Sequence, residues 1–353
     1  MQLLFLWLSS LSVSFILIEV LRRVFKKYQL LDKPHKYGYK RAPIPYSMGV
    51  VFFINFVIIS SMFAEHNLKL LFLVVFGTIV TVLSFFDDFY EISPKLRLFF
   101  QILIGAVIGL AFVKTGYLST IFGGFINLNI LSIELFDYKI FLLPILFTVI
   151  WYVTIFNSLN WSDGIPWLTS GLSFVSFLVI FLLWVKLYFT DTYSGGIENA
   201  IFIMEMSLAI LTSVGLFWWF DVREKMLMGD SGTMFLGFML ASLAIISGGK
   251  IATVVVVFWV YLIDAFYVIF KRLLAGKSPM NKDFSHLHHR LLQAGMTKKQ
   301  ILTFIYAISF FFGVTSLFLE TQGKIIVFMM LVFIVVFVNS VFDFVHKVKK
   351  KLK

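Results

Sequence analysis

Four short polar clusters interrupt an otherwise apolar chain, and each holds residue types suited to phosphate or cation chemistry. Asp87 and Asp88 follow Phe85-Phe86 at the end of an apolar run. Adjacent carboxylates at such a place repel each other and lose hydration. A cation, or an acceptor group that must be deprotonated, would offset that cost; a solvated helix cap is the plainer reading. Asn157, Asn160 and Asp163 recur at three-residue spacing, which puts them on one helix face. Amide and carboxylate oxygens suit a hard cation such as Mg²⁺, which takes few ligands from protein. A polar helix end followed by Gly164 is the alternative. Gly229-Asp230-Ser231-Gly232-Thr233 leads straight into a further apolar run. Asp230 or Ser231 would cap a helix there, and a helix N-terminus also favours phosphates.

The fourth cluster is His286-Leu287-His288-His289-Arg290. Zinc is one reading. Adjacent histidines on a helix point apart, however, and the chain has no cysteine to help. Imidazolium and guanidinium groups suit a diphosphate, which arginine can grip as a fork. Two acids, Glu205 and Asp264, sit inside apolar runs, where charge is costly. Lys271 or Arg272 is placed to reach Asp264; Glu205 has no evident partner.

The elements that carry these clusters are membrane spans. Of 353 residues, 60% are hydrophobic, 44 are Phe, and the mean hydropathy is +0.93. A soluble fold of this size has too little interior for so much apolar surface. Eleven apolar runs approach the roughly 20 residues that cross a bilayer. They lie near 2–21, 49–64, 68–86, 97–113, 139–156, 167–189, 197–217, 233–247, 250–270, 300–319 and 324–345. No cleavage site closes the first, so it is expected to stay as a span. The stretch 116–138, with Gly123-Gly124 and alternating polarity, reads as a small hairpin or interfacial element. The expected fold is an all-α, polytopic bundle of about ten or eleven helices, a single domain over 1–353 with its motifs between about 20 and 300.

The net charge of +11 raises nucleic acid as a partner, but its distribution fits topology better. If the N-terminus is outside, 24 of the 30 Lys and Arg fall in segments facing the cytoplasm. The other side holds only Lys69, Lys114, Lys139, Lys186, Lys250 and Lys324. That bias places the N-terminus outside, the C-terminus inside and all four polar clusters on the cytoplasmic face. The Lys347–Lys351 run reads as a contact with anionic lipid.

In order and spacing the clusters resemble the polyprenyl-phosphate N-acetylhexosamine-1-phosphate transferases. The likeness extends over roughly residues 20–300 and includes Val260-Tyr261-Leu262-Ile263-Asp264, Arg272, Asp283, Leu291-Leu292 and Gly295. It is nearest to the N-acetylglucosamine branch. The resemblance implies a bacterial inner-membrane enzyme with a cytoplasmic site, a UDP-sugar donor, a polyprenyl phosphate acceptor and Mg²⁺, or Mn²⁺ in its place. It implies no nucleic-acid partner and is compatible with a homodimer. By position, Asp87 and Asp88 would handle the lipid phosphate, and Asp230 would ligate the metal. Asn160 would join the metal or diphosphate site, with Asn157 beside it on the substrate. Asp163 would lie at the same centre, and His286, His288, His289 and Arg290 would contact the diphosphate and sugar.

Two departures stand out. In Asp163-Gly164-Ile165-Pro166-Trp167 the family's second acid or amide, associated with the nucleotide base, is Pro166, which offers no side-chain hydrogen bond. Trp161 or Trp167 would then stack on the base. In the first basic loop, the family's Arg-Lys-x-His is Tyr37-Gly38-Tyr39-Lys40, although Asp32, Pro34, Pro43, Pro45 and Gly49 remain and Lys36, Lys40 and Arg41 keep the loop basic. The rival readings are a catalytically inactive family member and a membrane transporter or flippase.

Overall fold

A computed structural model describes residues 1–37, 41–90, 92–112, 116–120, 122, 124–135, 138–163, 166–191, 196–246, 250–274, 276 and 286–351. Gly38, Tyr39, Lys40, Lys114, Gly123, Gly164, Ile165 and Asp283, singled out above, lie outside them.

The protein is an all-α polytopic membrane protein, and the expected apolar runs fall mostly in helices, although the 139–156 run begins in a strand and the 250–270 run is divided between two helices. In order these are α1 (Gln2–Lys27), α2 (Val50–Phe63), α3 (Leu68–Tyr90), α4 (Pro94–Phe112), α5 (Leu142–Ser162), α6 (Leu168–Phe189), α7 (Gly196–Asp221) and α8 (Gly229–Ile246). There follow α9 (Ile251–Val257), α10 (Trp259–Leu274), α11 (Leu287–Gln293), α12 (Lys298–Ser316) and α13 (Thr321–Lys351). Among the described residues nine helices are long and apolar enough to span, or ten if α9 and α10 form one span bent by 79°. α2, with 14 residues, is the short exception. The 116–138 stretch forms two antiparallel hairpins. Tyr117–Ser119 pairs with Phe125–Asn127, and Ser132–Leu135 pairs with Tyr138–Phe141.

Burial separates the centre from the rim. α7 and α8 are 83% buried over their spans and α6 is 72% buried, whereas α1 and α13 are only 22% buried and turn apolar side chains outward. With lipid as apolar as leucine, close packing has to hold the helices together. Small residues permit it. A Cβ on Gly105 or Gly109 of α4 would come within 3 Å of the α5 backbone at Val149 or Ile145. A Cβ on Gly49 would sit 2.1 Å from Gly232 Cα, so the start of α8 rests directly on the loop before α2.

That contact positions the site. Gly49 N donates to Met228 O, and Met48 N donates to Leu227 O. The loop 45–49 is thereby zipped to the segment that launches α8. Gly229 adopts φ +73, a left-handed turn that favours glycine, and a Cβ there would strike Asp88 Oδ2 at 2.6 Å.

Candidate active site

The ends of α3, α4, α5 and α8 meet at one end of the bundle, and Arg97 is their shared cation. Its Nη1 lies 2.9 Å from Asp87 Oδ2 and 2.9 Å from Asp230 Oδ2. The second Asp87 oxygen accepts from the Ile92 backbone N–H at 2.7 Å, which holds the turn into α4. The second Asp230 oxygen accepts from Asn160 Nδ2 at 2.8 Å, and the same amide reaches Thr233 Oγ1 at 3.4 Å. Asp87 is buried, while the Asp230 carboxylate keeps about a quarter of its surface open. Beside Asp87 and Arg97 runs a small apolar groove lined by Ser84, Ile92, Phe100, Ile104, Phe156 and Met234.

The two adjacent aspartates are used differently. Asp88 accepts from the Asp230 N–H at 2.7 Å, the Ser231 N–H at 3.1 Å and Ser47 Oγ at 2.6 Å. Tyr46 also hydrogen-bonds it. Desolvation, then the Asp88 charge, drives the Tyr46 phenol far above its ordinary range, so it stays protonated and donates. Asp88 therefore caps α8 from another helix and ties it to the loop before α2. Asp87 instead faces Arg97 and the groove.

The polar end of α5 splits. Asn160 joins Asp230, whereas Asn157 donates to Gln101 Oε1 at 2.6 Å and to Val153 O at 2.8 Å. Asp163 follows α5, is exposed, and hydrogen-bonds Thr169 at the start of α6. It is near enough to Asp230 to feel its charge. Thr169 also accepts from the Tyr261 hydroxyl at 3.4 Å. Tyr261 lies three residues before Asp264, on the same face of α10. Trp167 takes a left-handed backbone (φ +77), its carbonyl accepts from the Tyr306 hydroxyl, and its indole N–H is buried without a partner.

Asp264 fastens the histidine segment. Its two oxygens meet His286 Nδ1 and the Leu287 N–H, each at 2.8 Å, so one buried acid orients an imidazole and caps α11. His288 lies parallel to His286 at 5.9 Å between ring centroids and 4.2 Å from the tilted ring of His289. Burial first, then the two neighbouring imidazoles, lowers the His288 pKa to about 3. It is neutral, not the imidazolium expected from composition, and its Nε2 is buried with no hydrogen-bond partner. Arg290 points towards α13: Nη1 reaches Asn339 Oδ1 at 3.0 Å and the Asn339 carbonyl at 3.3 Å, and the guanidinium lies 5.3 Å over Tyr267. Glu205, unpartnered on sequence grounds, accepts from Gln2 Nε2 at 2.7 Å.

Sequence reasoning missed Arg97, Tyr46, Ser47 and Asn339. Arg97 left a signal. A cation in the first turns of an apolar helix opposes the helix dipole, and so asks for a nearby acid. Among the described residues no three His, Asp or Glu gather closely enough to hold a metal alone. Mg²⁺ needs only one or two protein carboxylates.

The model of glycosyl transferase family 4 matches residues 70–248, from within α3 to just past α8. A Bacillus subtilis protein named "Probable undecaprenyl-phosphate N-acetylglucosaminyl 1-phosphate transferase" is 25% identical over 98% of this chain and 92% of its own length. The undecaprenyl-phosphate alpha-N-acetylglucosaminyl 1-phosphate transferase of Salmonella typhi is 29% identical over 96% and 92%. The protein of the same name in Escherichia coli K12 is 31% identical over 80% of this chain and 75% of its own length. With half the chain inside the family model and its aspartates gathered at one bundle end, the protein belongs to glycosyl transferase family 4.

Proposed function

We propose that the protein transfers a sugar-1-phosphate, N-acetylhexosamine-1-phosphate by preference, from a UDP-sugar to a polyprenyl phosphate at the cytoplasmic face of a bacterial inner membrane. The single observation carrying this is the sharing of Arg97 between Asp87 and Asp230, with Asn160 on the remaining Asp230 oxygen. Two carboxylates on one guanidinium leave an oxygen-rich spot with net negative charge, the donor set a hard cation prefers. Asp230, with Asn160, would hold Mg²⁺. When bound, the ion would neutralise diphosphate charge.

In this reading an oxygen of the lipid phosphate attacks the sugar-bearing phosphorus of the donor. A new P–O bond forms, the P–O bond to the bridging oxygen breaks, and UMP leaves with that electron pair. A phosphate monoester has a second pKa near 6, so its attacking oxygen is mostly deprotonated near neutrality. Asp87 then needs only to orient the acceptor or hold a residual proton. Arg97 balances charge between acceptor and donor. His288 would donate its Nε2–H to a phosphate or sugar oxygen once the donor displaces the groups that cover it. The sparse lysines on the opposite face support a cytoplasmic site, an outside N-terminus and an inside C-terminus.

The test is nucleotide release by the purified full chain with polyprenyl phosphate, Mg²⁺ and a panel of donors. UMP from UDP-N-acetylglucosamine, together with a lipid-linked diphospho-sugar, is expected. No release of any nucleotide across the panel would end this reading.

A further inference from the structure

Three lysines at the end of the bundle away from Asp230 converge. Lys186 lies in the last turn of α6, Lys250 immediately precedes α9, and Lys324 lies in the first turn of α13. Lys324 is more than nine-tenths buried and gives one hydrogen bond, 2.8 Å to Thr253 Oγ1. Lys250 and Lys186 are close enough to act on it electrostatically. Lys186 Nζ donates to the Leu317 carbonyl at 2.5 Å and lies 5.1 Å over the Phe318 ring. Among the described residues no carboxylate pairs with any of the three.

Such an arrangement is costly. Like charges repel more strongly when water is excluded. An ammonium in the first turn of α13 also faces the positive end of the helix dipole. One hydroxyl and one carbonyl cannot offset this; an anion can. A phosphate carries the charge, and several oxygens able to accept from separate ammonium groups. Lys186 and Lys250 are partly exposed, so an anion from outside can reach the spot. Phe189 and Phe318, 80% and 74% exposed, flank it at helix ends. Both rings lie at the ends of spans, so the spot sits at the edge of the apolar layer, where a phosphate arrives attached to a lipid.

We propose that Lys186, Lys250 and Lys324 form a binding site for the phosphate headgroup of an anionic lipid, on the membrane face opposite the aspartate cluster. It does not depend on the proposed reaction. Each lysine is expected to contribute about 1 kcal/mol, a roughly fivefold effect on lipid binding.

The experiment uses the full chain in nanodiscs of phosphatidylcholine, with phosphatidylglycerol titrated in, and reads the thermal midpoint and lipid retained on purification. Native protein should gain midpoint and retained phosphatidylglycerol as that lipid rises. K186Q and K250Q, at the partly exposed positions, should each need about fivefold more phosphatidylglycerol. K139Q, at an exposed hairpin lysine, should match native. A K186Q/K250Q protein with native lipid dependence would overturn the site. So would an equal rise from inorganic phosphate in pure phosphatidylcholine, which would mean a soluble anion and not a lipid.

Discussion

The aspartate cluster and the histidine segment are both polar islands at helix ends, but they satisfy their charges in opposite ways. In the first, one guanidinium nitrogen serves two carboxylates from different helices, and Asp230 remains partly open. In the second, most groups have a local partner: His286 on Asp264, Arg290 on Asn339. Only His288 Nε2 is buried with nothing to bond. Shared, incompletely balanced charge is what a substrate or ion can complete. Closed pairs are what holds a segment in place. The difference locates the chemistry at Asp230 and assigns the histidine segment a positioning role with one polar opening.

The largest effect that could break this contrast comes from Asp230→Asn. It removes the charge while keeping the shape, and Mg²⁺-dependent UMP release should fall by about a thousandfold or more, the scale of losing a principal electrostatic contributor. Full turnover in this variant would remove Asp230 from the centre. Next is Arg97→Met, which leaves Asp87 and Asp230 facing each other unneutralised. A loss of roughly a hundredfold is expected, with partial rescue by Arg97→Lys, which restores the charge but not the rigid fork. Equal activity in all three proteins would show that Arg97 merely packs.

These two residues also show what was legible. Apolar run lengths placed most spans, because lipid demands about 20 residues per crossing, but they did not reveal that the 49–64 run gives a helix of only 14 residues or that the 250–270 run bends by 79°. Asp87, Asp88, Asn160 and Asp230 were visible as carboxylates and amides where a helix would otherwise be apolar. What composition could not reveal was which neighbour each would choose. Asp88 became a cap because Gly229 turns the α8 N–H groups towards it, a consequence of backbone geometry between residues 142 positions apart. Asn157 turned to Gln101 because an amide three residues from Asn160 can still rotate to another helix. Arg290 met Asn339 on a helix beyond the motif-bearing region.

A smaller effect is expected at His288. Its native pKa of about 3 lies below the ordinary value near 6.5. Between those values the unfolded chain binds a proton that the native chain does not, so stability declines as pH falls from about 6.5 towards 3 and is unaffected above that window. His288→Gln should flatten this part of the thermal midpoint against pH, while lowering UMP release about tenfold at pH 7.5 through loss of one polar contact. An unchanged pH profile would mean that His288 is not buried neutral in the native protein.

The smallest effect is the most discriminating. Asn339→Ala removes the α13 partner of Arg290, including one hydrogen bond of 3.0 Å to a charged donor, but touches no group of the aspartate cluster. If the histidine segment is held by closed pairs, the variant loses about 1.5–3 kcal/mol of stability, read as a lower thermal midpoint. The Michaelis constant for the UDP-sugar should stay within about twofold, because the backbone carbonyl of residue 339 and the Tyr267 ring still restrain the guanidinium. If instead Arg290 is a diphosphate ligand that Asn339 merely parks, releasing it should leave the Michaelis constant lower or unchanged and Arg290→Lys should raise it sharply. Measuring the two variants together therefore separates an arginine that fastens α13 from one that grips substrate, and with it the two kinds of polar island.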